Sequence, residues 1–180
     1  MNKGPSHSPL ASRQCRVGDK PGRKIKPLKD TPASTRHYFP LVYLDMSSPS
    51  SYVRVARVRY GQLHEGPGQR TVAWFAGCTI RCEGCSNSHL FYGEQFPAHP
   101  VGEIVDQVCQ GIALGDVGIS VVGGEPFDQP AALAVMVREV ACRWPQCGDI
   151  PRIIVYTGYR YEALIGRQDP ALELALRSVD

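Results

Sequence analysis

The sequence predicts an α/β fold built on a parallel sheet. Three short apolar runs, at residues 71–77, 117–124 and 152–158, have the length and the branched or aromatic content of buried strands. Longer segments with apolar residues at helical spacing separate and follow them. Strand and helix alternate, and a helix between two strands of one sheet brings them back parallel.

The elements follow in order. Val53, Val55 and Val58, with alanine and tyrosine nearby, predict a first strand from Tyr52, and HEGPGQR at 64–70 is a turn-rich loop. TVAWFAG at 71–77 is a buried strand that delivers the chain to Cys78. Val101 to Leu114 carries Val101, Ile104, Val105, Val108 and Ile112, the spacing of a helix. VGISVVGG at 117–124 is the next strand and ends in two glycines. Ala131 to Arg143 is a helix with Leu133, Val137 and Val140 on one face. RIIVYTG at 152–158 is the third buried strand, and Tyr161 to Leu176 reads as one or two helices around Pro170. No internal repeat is apparent.

With 180 residues, 43% hydrophobic and 21% charged, the composition is that of a soluble globular protein. The longest apolar runs fall far short of the roughly 18 residues of a membrane span, and no secretory signal opens the chain. The net charge of +3 hides an asymmetry: residues 1–40 hold nine Lys or Arg against Asp19 and Asp30. The rest is mildly acidic, so the balance is no nucleic-acid footprint. Residues 1–50 are rich in Ser, Pro, Gly, Lys and Arg and lack apolar periodicity; they are expected to be a disordered tail, with 51–180 the core domain. Docking of the tail on a partner, or a natural start at Met46, are the alternatives. Seven cysteines, clustered rather than spread as a framework, favour a reducing cytoplasm.

Cys78, Cys82 and Cys85, in GCTIRCEGCSN, carry the chemistry. Three thiolates at this spacing can wrap one side of a four-iron cluster and leave one iron open to a substrate or cosubstrate. Structural zinc wants four closed ligands, and ferredoxin clusters need a fourth cysteine and a shorter first spacing. The open-iron cluster is therefore favoured, with zinc or three unrelated thiols as alternatives. In parallel α/β sheets, ligands sit at the carboxyl ends of strands. Three such ends here are unusual: Cys78, then Gly123-Gly124-Glu125-Pro126, then Thr157-Gly158. Each glycine pair alone is more simply a turn; the convergence of all three on one sheet edge is what points to a site. Cys109 reads as a small buried hydrophobe, Cys142 and Cys147 as structural or free thiols, and Tyr156, Tyr159 and Tyr161 as packing residues.

The run GPG at 66–68, TVAWFAGC, CTIRCEGCSN, VVGGEPFDQP at 121–130 and VYTGY at 155–159 together resemble the radical S-adenosylmethionine superfamily. More narrowly, they are similar to the activating proteins of glycyl-radical enzymes such as anaerobic ribonucleotide reductase. The resemblance implies a small partial parallel β/α barrel. It implies that Cys78, Cys82 and Cys85 hold a [4Fe-4S] cluster whose fourth iron takes the amine and carboxylate of S-adenosylmethionine. Gly84, Cys85 and Ser86 would meet the adenine through their main chain. Gly123, Gly124 and Glu125 would receive the amino-acid end, with Asn87 and Thr157 as second contacts. The implied reaction is reductive cleavage to a 5′-deoxyadenosyl radical that takes hydrogen from a glycine of a partner glycyl-radical protein, with a flavodoxin- or ferredoxin-type electron donor. No side chain is needed as a general base. Radical modification of a peptide or small molecule, and a truncated non-catalytic iron–sulfur module, are the competing readings. In the family a further strand follows the helix after TGY, whereas this chain stops at Ser178-Val179-Asp180; the barrel is therefore expected to be incomplete, its carboxyl-terminal strands missing.

Overall fold

The computed structural model of the protein describes residues 52–145, 148 and 152–179. The expected tail at 1–50, and Cys147, lie outside the described residues. Five strands form one sheet in the order β3-β1-β2-β4-β5: β1 (Tyr52–Gln62), β2 (Arg70–Phe75), β3 (Ala98–Pro100), β4 (Gly118–Gly123) and β5 (Ile153–Val155). Among the described residues four α-helices accompany it: α1 (Val101–Ala113), α2 (Pro130–Arg143), α3 (Tyr161–Ile165) and α4 (Pro170–Ser178).

Strands β2, β4 and β5 are parallel, with Phe75 opposite Gly123 and Val121 opposite Val155. Helices α1 and α2 supply the crossovers, as the alternation predicts. The expectation of a parallel sheet needs one correction: β1 pairs antiparallel with both β2 and β3, so the sheet is mixed. The reason lies in chain length. Only residues 63–69 join β1 to β2, and a parallel return needs a crossover of a dozen or more residues. Among the described residues the sheet is open, with β3 and β5 at its edges, and does not close as a barrel.

The apolar pattern of β1 contains its own bulge. Val53 and Val55 share a face, but Val58 is out of phase with them. Val55 pairs with Phe75 and Arg57 with the adjacent Trp74, so Ala56 is an extra residue. That insertion returns Val58 to the helix-covered face, where it packs against the core that also holds Val53 and Val55.

On that face lie Ala73, Phe75, Ile119, Val121 and Ile153, covered by Ile104, Val105 and Val108 of α1 and Leu133, Met136, Val137 and Val140 of α2. Leu172 and Ala175 of α4 join the same core. The opposite face carries Val72, Trp74 and Val122, packed with Leu90 from the segment after the cysteines. Helix α4 starts on an aspartate cap: the Asp169 carboxylate accepts from the N–H of Ala171, with Pro170 at the first helical position. The result is a helix-backed sheet whose three parallel strands end on the same side.

Candidate functional site

The chain leaves β2 at Phe75 and reaches Cys78 through Gly77, whose φ of +101° only glycine adopts readily. The Gly77 N–H donates to Leu90 O (2.7 Å) and the Cys78 N–H to Phe91 O (3.2 Å), closing residues 78–90 into a loop. Inside it the Cys85 N–H donates to Cys82 O and the Ser88 N–H to Cys85 O, both at 3.3 Å. Arg81 turns the loop in the left-handed region (φ +51°), and its guanidinium stacks on Tyr92 at 4.8 Å.

Cys78, Cys82 and Cys85 are free thiols. All three line one cavity of about 110 Å³, together with Gly123, Gly124, Glu125 and Gly158, and with Ile80, Asn87 and Phe91 in its wall. The three strand ends singled out by the sequence therefore converge. Among the described residues, no three His, Cys, Asp or Glu side chains close on a single metal ion. A cluster does not require that, because each thiolate binds its own iron. Three thiols around one cavity, in a loop whose main chain is already pinned, fit a four-iron group with one iron left to another ligand.

The glycines of GGEP have a structural cause. Gly123 has a φ of +112°, and a Cβ there would press on the Phe75 main chain. A Cβ on Gly124 would overlap the Gly77 carbonyl oxygen and lie 2.8 Å from its carbon. The close approach lets the Gly124 N–H donate to Phe75 O and the Glu125 N–H to Gly77 O, each at 2.8 Å. The end of β4 is thus locked to the approach to Cys78.

Glu125 is 1% exposed and works as a brace. Its Oε1 accepts from the Phe127 N–H and the Thr157 hydroxyl, and its Oε2 from the Gly158 N–H, all at 2.9 Å. Burial pushes its carboxyl up from the ordinary value, and the three hydrogen bonds, led by Gly158, pull it part of the way back. With about four acceptor positions on a carboxylate, Oε2 keeps one for a further donor.

The remaining candidates separate. Asn87 lines the cavity and starts a single helical turn, its carbonyl accepting from the Leu90 N–H at 2.8 Å. The hydroxyl of Thr157 is committed to Glu125 and to the Tyr159 N–H. Gly84 and Ser86 are exposed and outside the cavity lining; a Cβ on Gly84 meets nothing within 4 Å, so its φ of +71° is what demands glycine.

Sequence reasoning missed two contributors, Gln129 and Asp128, and named Gly158 at the third strand end without giving it a role. Gly158 stands in TGY and forms cavity wall, where Ile80 packs so close that a Cβ would lie 2.7 Å from its Cδ1. Gln129 ties the site to β1: its Oε1 accepts from the Arg54 N–H (2.8 Å) and its Nε2 donates to Ala76 O (3.0 Å). Asp128 accepts from Thr79 and Tyr159, which the sequence left as bystanders. The signal for the last two was present in PFDQ, four residues that directly follow a strand end.

Comparison with known proteins agrees with this chemistry. The chain is 28% identical over 102 residues to the anaerobic ribonucleoside-triphosphate reductase-activating protein of Enterobacteria phage T4. The match covers 54% of this chain and spans 61% of the phage protein's length. A family described as a 4Fe-4S single cluster domain matches residues 64–180, the whole stretch from the GPG loop through all three cysteines to the last helix. By that match the chain belongs to the 4Fe-4S single cluster domain family.

Proposed function

We propose that this protein is a radical S-adenosylmethionine enzyme that activates a glycyl-radical protein, of the anaerobic ribonucleotide reductase type. One observation carries the reading: the three thiols share a single cavity with Gly123, Gly124, Glu125 and Gly158. A plain electron-transfer centre has no use for a second set of strand ends facing its open side. The similarity to a phage activating protein supports the choice of partner.

Cys78, Cys82 and Cys85 would hold three irons of a [4Fe-4S] cluster, leaving the fourth without a protein ligand. When bound, the cluster would supply one-electron reduction of S-adenosylmethionine, to methionine and a 5′-deoxyadenosyl fragment able to take a hydrogen from the partner's glycine. The residues of this chain bind and orient. The main chain at Gly123 and Gly124 and the free position on Glu125 Oε2 suit the ammonium and carboxylate of the methionyl end. The main chain at Gly84, Cys85 and Ser86 would face the adenine, with Asn87 beside it, and Thr157 acts through Glu125. Ile80 and Phe91 give the cavity apolar walls that keep water from a reactive radical. A flavodoxin- or ferredoxin-type protein in the cytoplasm would supply the electron. Among the described residues no helix is long and apolar enough to cross a membrane.

Anaerobic reconstitution with iron and sulfide, then reduction with S-adenosylmethionine present, tests the reading. The expected product is 5′-deoxyadenosine, with a glycyl radical signal when an anaerobic ribonucleotide reductase is added. A bound cluster without 5′-deoxyadenosine would leave an iron–sulfur module. 5′-Deoxyadenosine without a radical on the reductase would point to a peptide or small-molecule target.

A further inference from the structure

The residue that follows the first cysteine is anchored from outside the cysteine loop. The Thr79 N–H donates to Asp128 Oδ2 at 2.7 Å, and the Thr79 hydroxyl to Oδ1 at 3.1 Å. The Tyr159 hydroxyl donates to the same Oδ1 at 2.8 Å and lies 2.8 Å from the Thr79 hydroxyl. Arg167, from the turn after α3, stacks its guanidinium on the Tyr159 ring at 4.0 Å. Asp128 belongs to the turn after β4 and Tyr159 to the turn after β5. One carboxylate therefore joins the cysteine loop to both neighbouring strand ends, and none of these three side chains lines the cavity.

Two consequences follow for a cluster held by Cys78. The peptide N–H next to a cysteine ligand is a natural donor to a thiolate or sulfide sulfur, and such bonds raise a cluster's potential. Asp128 takes that donor away. The same carboxylate places a negative charge beside the first peptide after the ligand, which disfavours adding an electron. Both effects act in one direction. We propose that Asp128 is a positioning residue that fixes the Cys78 end of the loop through Thr79 and keeps the bound cluster strongly reducing, with Tyr159 holding Asp128 in place. The inference rests on the proposed function only in needing a cluster on the three cysteines; it does not require a particular radical acceptor.

The test uses the full chain with Asp128→Asn and Tyr159→Phe. In the apo protein, amide exchange across residues 78–82 reads the anchor directly. Both variants should exchange there faster than the unaltered protein, while residues 71–75 of β2 stay protected. In the reconstituted protein, an anaerobic redox titration followed by electron paramagnetic resonance reads the midpoint potential. Asp128→Asn should shift it to more positive values; Tyr159→Phe, which keeps the carboxylate, should shift it much less. Unchanged exchange in Asp128→Asn would refute the anchor, and an unchanged or more negative potential would refute the tuning role. Failure of the unaltered protein to bind a cluster would overturn the tuning role together with the proposed function, while the exchange measurement still decides the anchor. A general loss of structure in Asp128→Asn, seen as exchange in β2, would refute the local role.

Discussion

Gly124→Ala separates two explanations for the glycines of GGEP, and it can be tested without any cofactor. If glycine is present so that a cosubstrate can approach the main chain, alanine should leave the apo protein stable. The geometry predicts otherwise. The new Cβ would overlap the Gly77 carbonyl oxygen and sit 2.8 Å from Gly77 C and 3.2 Å from Gly77 N, all backbone atoms with no rotamer to escape into. Overpacking of that kind costs about 1–3 kcal/mol. Pushing the two segments apart also breaks the 2.8 Å bond from the Glu125 N–H to Gly77 O, worth about 1 kcal/mol. The expected loss is therefore about 2–4 kcal/mol. Gly84→Ala is the control: its Cβ meets nothing within 4 Å, and only the positive φ of +71° is penalised, at about 1–2 kcal/mol. Urea unfolding of the two apo variants, compared at equal slope, reads the difference. An equal midpoint for both would refute the packing argument and return Gly124 to ligand approach.

Other outcomes follow from the same structure. Cys82→Ala should abolish cluster binding by iron analysis, whereas Cys109→Ala should retain it, because Cys109 sits half-buried against the α1–α2 core and burial pushes its thiol up; cluster loss in both would require a different ligand set. Glu125 keeps its proton longer in the folded than in the unfolded state, so the native protein binds more protons just above the ordinary value of 4.5. This site therefore makes stability fall as pH rises from that value through the raised folded one. Glu125→Gln should flatten that slope in urea titrations from pH 4 upward (roughly the carboxylate range), and an unaltered slope would assign it elsewhere. Arg70→Met should cost about 3–6 kcal/mol, the worth of two charge-assisted hydrogen bonds: the fully buried guanidinium donates to Ser120 Oγ at 2.8 Å and to Ile119 O at 2.6 Å. Thermal or urea unfolding measures it, and a near-neutral variant would show that the β2–β4 joint tolerates its loss.

Much of this was legible because the strongest signals are local. The runs at 71–77 and 117–124 are continuous and apolar, since both faces of β2 and β4 are covered, and they read as buried strands without tertiary information. Helices α1 and α2 fall within one residue of their predicted starts, Val101 and Ala131, because the periodic stretches begin there and Pro130 adds only a first helical residue. What escaped depends on pairing. The antiparallel docking of β1 follows from a loop length that the strand pattern alone did not weigh, and β3 is three residues that become a strand only beside Tyr52–Arg54. The cysteines and GGEP were legible as types and spacings. The roles of Asp128, Thr79 and Tyr159 were not, because each is an ordinary polar residue until three strand ends meet.

The placement of buried charge explains how such a site can be demanding without unfolding the domain. Arg70 and Asp116 are both buried at the amino ends of the parallel strands. Arg70 binds main-chain carbonyls of Ile119 and Arg152 there, while Asp116 accepts from Thr71 at 2.6 Å and from Gln69 at 2.9 Å. At the carboxyl ends, by contrast, the polar groups serve to hold loops: the buried Glu125 on the turn after β5, and the half-buried Asp128 and Gln129 on the cysteine loop and on β1. One end of the sheet thus fixes the register of β2 and β4, and the other is free to spend its hydrogen bonds on three thiols and a cavity. Variants at the first end should change unfolding and leave the cavity chemistry of the surviving folded protein intact. Variants at the second should change cluster properties with smaller effects on unfolding, substitutions at Gly123 and Gly124 excepted, because there the site's geometry is made by backbone pressed on backbone.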